Sequence, residues 1–181
     1  MPYPPTAPTR KFTIRYKGLF DFDGLYNLMV QWMKARRFWF HEVKYKHKVP
    51  SPYGAEQEIF FMGEKKITDY FQYRLTVDIH IWDMTEVEVV HNGVKKTLTN
   101  ARMQIILMGY LDIDWEKRWE TSKKWQTLKD FYNKYIMKEE IESIYWDTIQ
   151  YKTQHFMNVI KEFLDMEAKG YEYKGYIGDT V

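Results

Sequence analysis

Two residues of one predicted strand, Asp78 and His80, have the types and spacing for acid–base or metal chemistry. Because side chains two residues apart on a strand point to the same side, the carboxylate and the imidazole are predicted to lie within reach of each other. The sequence shows no third partner for them, and Arg74 and Thr76 continue the same polar face. We therefore favour the interpretation that this strand face is exposed to solvent. An enzyme that uses Asp78 and His80 ranks third, after a binding protein and a nucleic-acid-binding module.

Other residues with chemical potential fit no known site pattern. Asp112, Asp114 and Glu116 alternate near a strand end, but residues 113–117 lack the glycine of a calcium loop. The chain contains no cysteine, which excludes disulfides, thiolate metal sites and cysteine nucleophiles. Its serines lie outside any Gly-x-Ser-x-Gly turn, and there is no glycine-rich phosphate loop. The sequence therefore predicts neither a cofactor nor a metal, and leans away from an enzyme.

The composition points to a folded protein with large aromatic surfaces. Aromatic residues make up 18% of the chain, and the formal net charge is only +2. So small a charge is not typical of a dedicated nucleic-acid binder, whereas abundant aromatics favour a sheet with a bulky core or an aromatic-lined pocket. The sequence shows no membrane span and no signal peptide. We expect a cytoplasmic protein.

The alternation of apolar and polar side chains predicts the strands that would position these residues. Residues 71–82 alternate throughout, which predicts a strand of an antiparallel sheet that is covered on one face. Shorter alternating runs predict further strands over 11–17, 39–49, 56–62 and 101–114, with a turn at Gly63 and Glu64. Asn92 and Gly93 predict a hairpin between residues 87–90 and 94–98.

Helical spacing of apolar residues marks the remaining elements. Asp21 is a predicted cap for a helix that ends near Arg36 and Arg37. A second helix is predicted near 119–136, and a long C-terminal one from 139 to 168. With its four prolines, segment 1–10 is predicted to be a disordered tail, and 169–181 a flexible tail rich in tyrosine and glycine. Residues 11–168 are then a single α+β domain.

This order of elements resembles the START and polyketide-cyclase-like superfamily, of helix-grip or SRPBCC type, over residues 11–168. The chain has one substantial helix after its first strand where the superfamily usually has two short ones, and it adds the helix near 119–136. The resemblance implies a curved antiparallel sheet of about six to seven strands around the last helix, with a cavity for an apolar ligand. Residues 17–21 and 119–123 are similar to runs in uncharacterised archaeal proteins, and this similarity implies no functional residues.

The leading hypothesis is a non-enzymatic protein that holds an apolar small molecule or a protein partner between the sheet and the C-terminal helix. Its candidate pocket residues share the apolar faces of these elements: Tyr73, Leu75, Val77, Ile79, Met103, Ile105, Leu107, Tyr145, Ile149 and Phe156. The alternative is a nucleic-acid or ribosome-associated module, in which the basic and aromatic segment 34–48 binds phosphates through Arg36, Arg37, Lys44 and Lys46. The sequence leaves self-association into a homo-oligomer open.

Overall fold

A six-stranded antiparallel sheet forms the centre of the protein. The computed structural model describes residues 4–51, 54–91, 94–119 and 122–166. The strands are β1 Thr6–Pro8, β2 Phe12–Phe20, β3 Trp39–Ser51, β4 Gly54–Lys66, β5 Phe71–His91 and β6 Val94–Ile113. Their order across the sheet is β1-β6-β5-β4-β3, and β2 pairs with β6 next to β1. This arrangement confirms the predicted α+β class with an antiparallel sheet and a C-terminal helix.

One helix links the two edges of the sheet, and the others follow the last strand. At the start of this helix, α1 (Phe22–Ala35), the Asp21 side chain accepts a hydrogen bond of 2.9 Å from the backbone N–H of Gly24, as the predicted cap requires. None of the described helices is both long and apolar enough to cross a membrane. The helices are α1 Phe22–Ala35, α2 Lys123–Phe131, α3 Lys138–Glu140 and α4 Asp147–Phe163, with π-helical turns at Tyr132–Ile136 and Ile141–Trp146.

The core lies between one face of the sheet and the helices α1 and α4. Trp32 of α1 stacks on Phe156 of α4 with ring centroids 4.4 Å apart. Gly109 of β6 lets α4 approach closely, because a Cβ there would lie 2.6 Å from Thr153 Oγ1 and 2.9 Å from Ile149 Cγ1. The opposite face of the sheet carries the polar half of the strand alternation, so the covered face holds the apolar half.

The N-terminal proline-rich segment corrects one prediction. Instead of a disordered tail over 1–10, residues Thr6–Pro8 form strand β1 and pair with β6. The backbone oxygen of Pro5 accepts from Ile113 N, and Thr9 N donates to Gly109 O, each at 2.8 Å. Proline lacks a donor but can occupy an edge strand, where its nitrogen faces away from the sheet. Ordered structure therefore begins before the predicted residue 11.

Strand β4 corrects a second prediction, the turn at Gly63 and Glu64. The strand runs unbroken from Gly54 to Lys66. A Cβ on Gly63 would lie 3.0 Å from Phe38 Cβ and 3.1 Å from Met33 Sδ, so this glycine makes room for neighbouring side chains rather than for a turn. The predicted hairpin turn at 92–93 and the predicted tail at 169–181 lie outside the described residues.

Candidate functional site: an aromatic pocket at the end of the sheet

A pocket of about 480 Å³ lies where the start of β5, the end of β6 and the C-terminal helical region meet. We call it the end pocket. Its volume is within the range of small-molecule sites, and most of its lining is apolar or aromatic. The lining residues are Thr68, Asp69, Tyr70, Phe71, Asp114, Arg118, Trp119, Tyr132, Met137 and Tyr145.

Stacked rings give the end pocket a rigid wall. Phe71 of β5 stacks on Tyr145 of the second π-helical turn, with centroids 4.2 Å apart and planes inclined by 30°. Tyr70 meets Phe71 edge to face at 5.0 Å. Both geometries are favourable for aromatic pairs. These ring contacts join the sheet to the C-terminal helical region.

Asp114 organises the loop on the polar side of the pocket. Its buried carboxylate lies 3.1 Å from Lys129 Nζ and accepts hydrogen bonds from the backbone N–H groups of Arg118 at 3.0 Å and Trp119 at 3.3 Å. A buried carboxylate needs such partners to offset the loss of water. Asp114 therefore fixes both the 114–119 loop and the adjoining helix α2, and we assign it a structural role.

The Tyr70 hydroxyl is the second polar group of the pocket wall. It donates a hydrogen bond of 2.8 Å to Oδ1 of the buried Asn133. Burial raises the pKa of Tyr70 to about 12. The hydroxyl is therefore neutral at physiological pH and serves as a hydrogen-bonding group rather than as a base.

The sequence-predicted pocket residues lie mostly in the packed core, away from the end pocket. Among the ten, only Tyr145 belongs to the lining of the end pocket. The two helix residues Ile149 and Phe156 are fully buried against the sheet. Tyr73 lies under Lys152, whose ammonium is 5.2 Å from the ring centroid. The remaining six are buried sheet residues, namely Leu75, Val77, Ile79, Met103, Ile105 and Leu107.

Of the two candidate residues Asp78 and His80, His80 takes part in a cross-strand network. His80 Nε2 lies 2.6 Å from Glu56 Oε1 on the neighbouring strand, and the His80 ring stacks on Trp82 at 3.9 Å. Glu56 and Glu58 bring their ligand atoms within 4.8 Å of His80, a grouping that resembles a metal site. However, Lys48 Nζ lies 3.0 Å from Glu56 and 3.2 Å from Glu58, so an ammonium already balances these carboxylates.

The carboxylates near the end of β6 have separate basic partners. Arg74 makes two hydrogen bonds of 2.9 Å to Asp112, Lys129 pairs with Asp114, and Glu116 pairs with Arg118. Three carboxylates facing three different cations do not converge on a common ligand position. The alternating acidic residues at this strand end therefore form three separate ion pairs.

The basic segment 34–48 is divided between two places in the fold. Arg36 lies at the end of α1 with its guanidinium 4.0 Å from the Trp32 ring centroid, and Arg37 follows with a positive φ of 61°. On β3, Lys44 pairs with Glu58 at 2.5 Å, and Lys46 is exposed. Carboxylates of β4 thus offset part of the positive charge that would attract phosphates.

No protein-family model matches the chain, and no curated protein matches its sequence. The assignment of the end pocket as a candidate site therefore rests on the geometry of its residues. The sequence did not reveal Tyr70, Trp119, Tyr132 and Met137, because they lie in two loops, in a π-helical turn and directly after it, where a strand or helix period does not apply. A usable signal was the density of aromatics over 115–135, next to the Tyr70–Phe71 pair at a strand start.

Proposed function

We propose that this protein is a non-enzymatic binding protein that holds an apolar small molecule in the end pocket. The observation that carries the proposal is the aromatic-walled volume of about 480 Å³ between the sheet and the C-terminal helical region. The proposal keeps the binding function of the leading hypothesis. It differs in the site, which lies at the end of the sheet instead of between the middle of the sheet and the C-terminal helix.

The lining favours a ligand with a flat or hydrocarbon body and few polar groups. Phe71 and Tyr145 offer ring faces and edges, and Met137 offers an adaptable thioether side chain. The Arg118 guanidinium, which also lines the pocket, is already paired with Glu116 and Asp69. A largely apolar ligand would match this distribution.

The polar groups of the pocket support binding rather than catalysis. Asp114 is held by an ammonium and two backbone N–H groups, and the Tyr70 hydroxyl is hydrogen-bonded and neutral. A general base needs a pKa near the operating pH and a free lone pair directed at the substrate. The pKa of Tyr70, about 12, lies far above physiological pH, and the Asp114 carboxylate is already engaged by three donors.

Filling the pocket tests the proposal. Met137→Trp adds a large ring to the lining, and we expect it to weaken binding of a neutral fluorescent probe, N-phenyl-1-naphthylamine, by at least about tenfold. The matched control is Ile136→Trp, since Ile136 is the neighbouring residue but is exposed and outside the lining. Native mass spectrometry of the same proteins would show whether a co-purified molecule is lost with Met137→Trp.

Three results would reject the proposal: no probe binding by the wild type, equal affinity of Met137→Trp and wild type, or equal weakening by both tryptophan variants. A thermal melt of each variant, followed by circular dichroism, separates loss of the pocket from loss of the fold.

A further inference from the structure

Segment 123–136, which comprises α2 and the π-helical turn Tyr132–Ile136, exposes its apolar side chains. Helix α2 has no buried residue. Six large apolar residues of the segment are between 38% and 65% exposed. We call them the apolar patch: Trp125, Leu128, Phe131, Tyr132, Tyr135 and Ile136.

The segment is attached to the rest of the protein mainly by polar side chains, besides an edge-to-face contact of Trp125 with Trp119 at 5.6 Å. Lys129 reaches the buried Asp114, and the buried Asn133 accepts from Tyr70. These two residues are four apart, so they lie on one side of the helix. A surface helix ordinarily turns its apolar stripe toward the core and its polar side to water. In this segment the polar side faces the protein and the apolar side faces solvent. Packing against the core therefore does not account for the apolar side chains.

Charge indicates what covers the apolar patch. Residues 123–136 contain four lysines and one aspartate. Lys129 pairs with Asp114, whereas the other three lysines, Lys123, Lys124 and Lys134, are exposed. The Lys134 ammonium lies 5.1 Å from the Tyr135 ring centroid, so positive charge borders the aromatic surface directly.

We propose that segment 123–136 docks on the surface of an anionic lipid bilayer. Exposed tryptophan, phenylalanine and leucine flanked by lysines are typical of helices that lie in the membrane interface, with apolar side chains among the acyl chains and ammonium groups at the lipid phosphates. The segment lies on the bilayer and does not span it.

Other occupants fit less well. A second copy of the chain would bring two lysine-rich segments together, and like charges oppose that contact. Nucleic acid would match the lysines but offers no apolar phase for Leu128 and Ile136. Tyr132 belongs both to the apolar patch and to the end pocket, so docking places the pocket beside the bilayer. The docking itself does not depend on the pocket.

Co-sedimentation of the full chain with lipid vesicles tests the inference. We expect binding to phosphatidylcholine vesicles that contain about one-third phosphatidylserine, and at least about tenfold weaker binding to phosphatidylcholine alone, since each lysine near an anionic surface strengthens binding about fivefold. The double variant Phe131→Ser/Tyr135→Ser should bind the anionic vesicles at least about tenfold more weakly. Neither residue lines the end pocket, so probe binding there should be unchanged.

The matched control is Tyr151→Ser on α4. Tyr151 is 67% exposed and Tyr135 65%, but Tyr151 lies outside the segment, so its substitution should leave vesicle binding intact. The inference is overturned if the wild type ignores anionic vesicles or binds neutral ones equally, or if the control loses binding as strongly as the double variant. It is also overturned if sedimentation equilibrium without lipid shows a dimer that the double variant abolishes, because the patch would then be covered by a second copy.

Discussion

At the level of single residues, the two faces of β5 are in opposite environments. Ile79 is completely buried beneath the helices, whereas Thr76, three residues earlier, lies on the opposite face with its hydroxyl donating to Met108 O at 3.2 Å. Strand alternation alone separates these neighbours. The same substitution at the two positions therefore measures the difference between the faces.

We expect Ile79→Asp to destabilise the fold by about 3–5 kcal/mol, because it buries a carboxylate with no partner and removes an apolar side chain from the core. Thr76→Asp should cost only about 1–2 kcal/mol, since it loses the hydrogen bond to Met108 O but its carboxylate can reach water. Urea unfolding followed by tryptophan fluorescence gives both values. Equal losses for the two variants would contradict the burial of the Ile79 face.

At the level of elements, the approach of α4 to β6 depends on the absence of a side chain at Gly109. We expect Gly109→Ala to cost about 1–3 kcal/mol, because the new methyl group would overlap with the Thr153 hydroxyl and the Ile149 side chain. Adding Thr153→Ala should restore part of the loss by removing the nearest atom. A double-mutant cycle on chemical denaturation measures this coupling. Purely additive losses would mean that α4 does not press on Gly109.

The regular elements could be predicted from the sequence, because their signals are local. Alternation located β5, and Asp21 located the start of α1. Strand β1 was missed because pairing of a proline-rich segment depends on β6, which lies about a hundred residues away in sequence. The continuity of β4 through Gly63 was missed for a similar reason, since only the packing of Phe38 and Met33 gives that glycine its role.

Most residues of the end pocket were not predicted from the sequence. Aromatic abundance indicated an aromatic-lined pocket, and Tyr145 was placed among its residues. However, the middle of the sheet–helix interface is where apolar side chains pack most completely, as fully buried Ile149 and Phe156 show. The end pocket arises where the loop 114–119 and the π-helical turns replace regular packing. A periodicity argument cannot locate such a place.

At the level of the whole molecule, the two faces of the sheet differ in how they respond to pH. The helix-covered face holds the apolar core, while the other face carries the network of Lys44, Lys48, Glu56 and Glu58. The pKa of Glu56 is lowered mainly by a hydrogen bond from His80 and, to a smaller extent, by one from Lys48. The pKa of Glu58 is lowered from 4.5 to about 2, mainly by a hydrogen bond from Lys44 and, to a smaller extent, by one from Lys48. The face is therefore held in part by ionised carboxylates.

The final prediction is that Glu58 contributes to acid unfolding. Its pKa is lower in the folded state than in the unfolded chain, so its contribution is fully present above pH 4.5 and is lost as the pH falls toward about 2. We expect the melting temperature of Glu58→Gln to fall less steeply over this range than that of the wild type, because glutamine has no proton to gain.

The control is Glu162→Gln, an exposed position on α4 with no ion pair in the described part of the chain, which should keep the wild-type slope. Circular dichroism melts at closely spaced pH values make the comparison, and parallel slopes for wild type and Glu58→Gln would show that the Lys44–Glu58 contact does not couple folding to protonation.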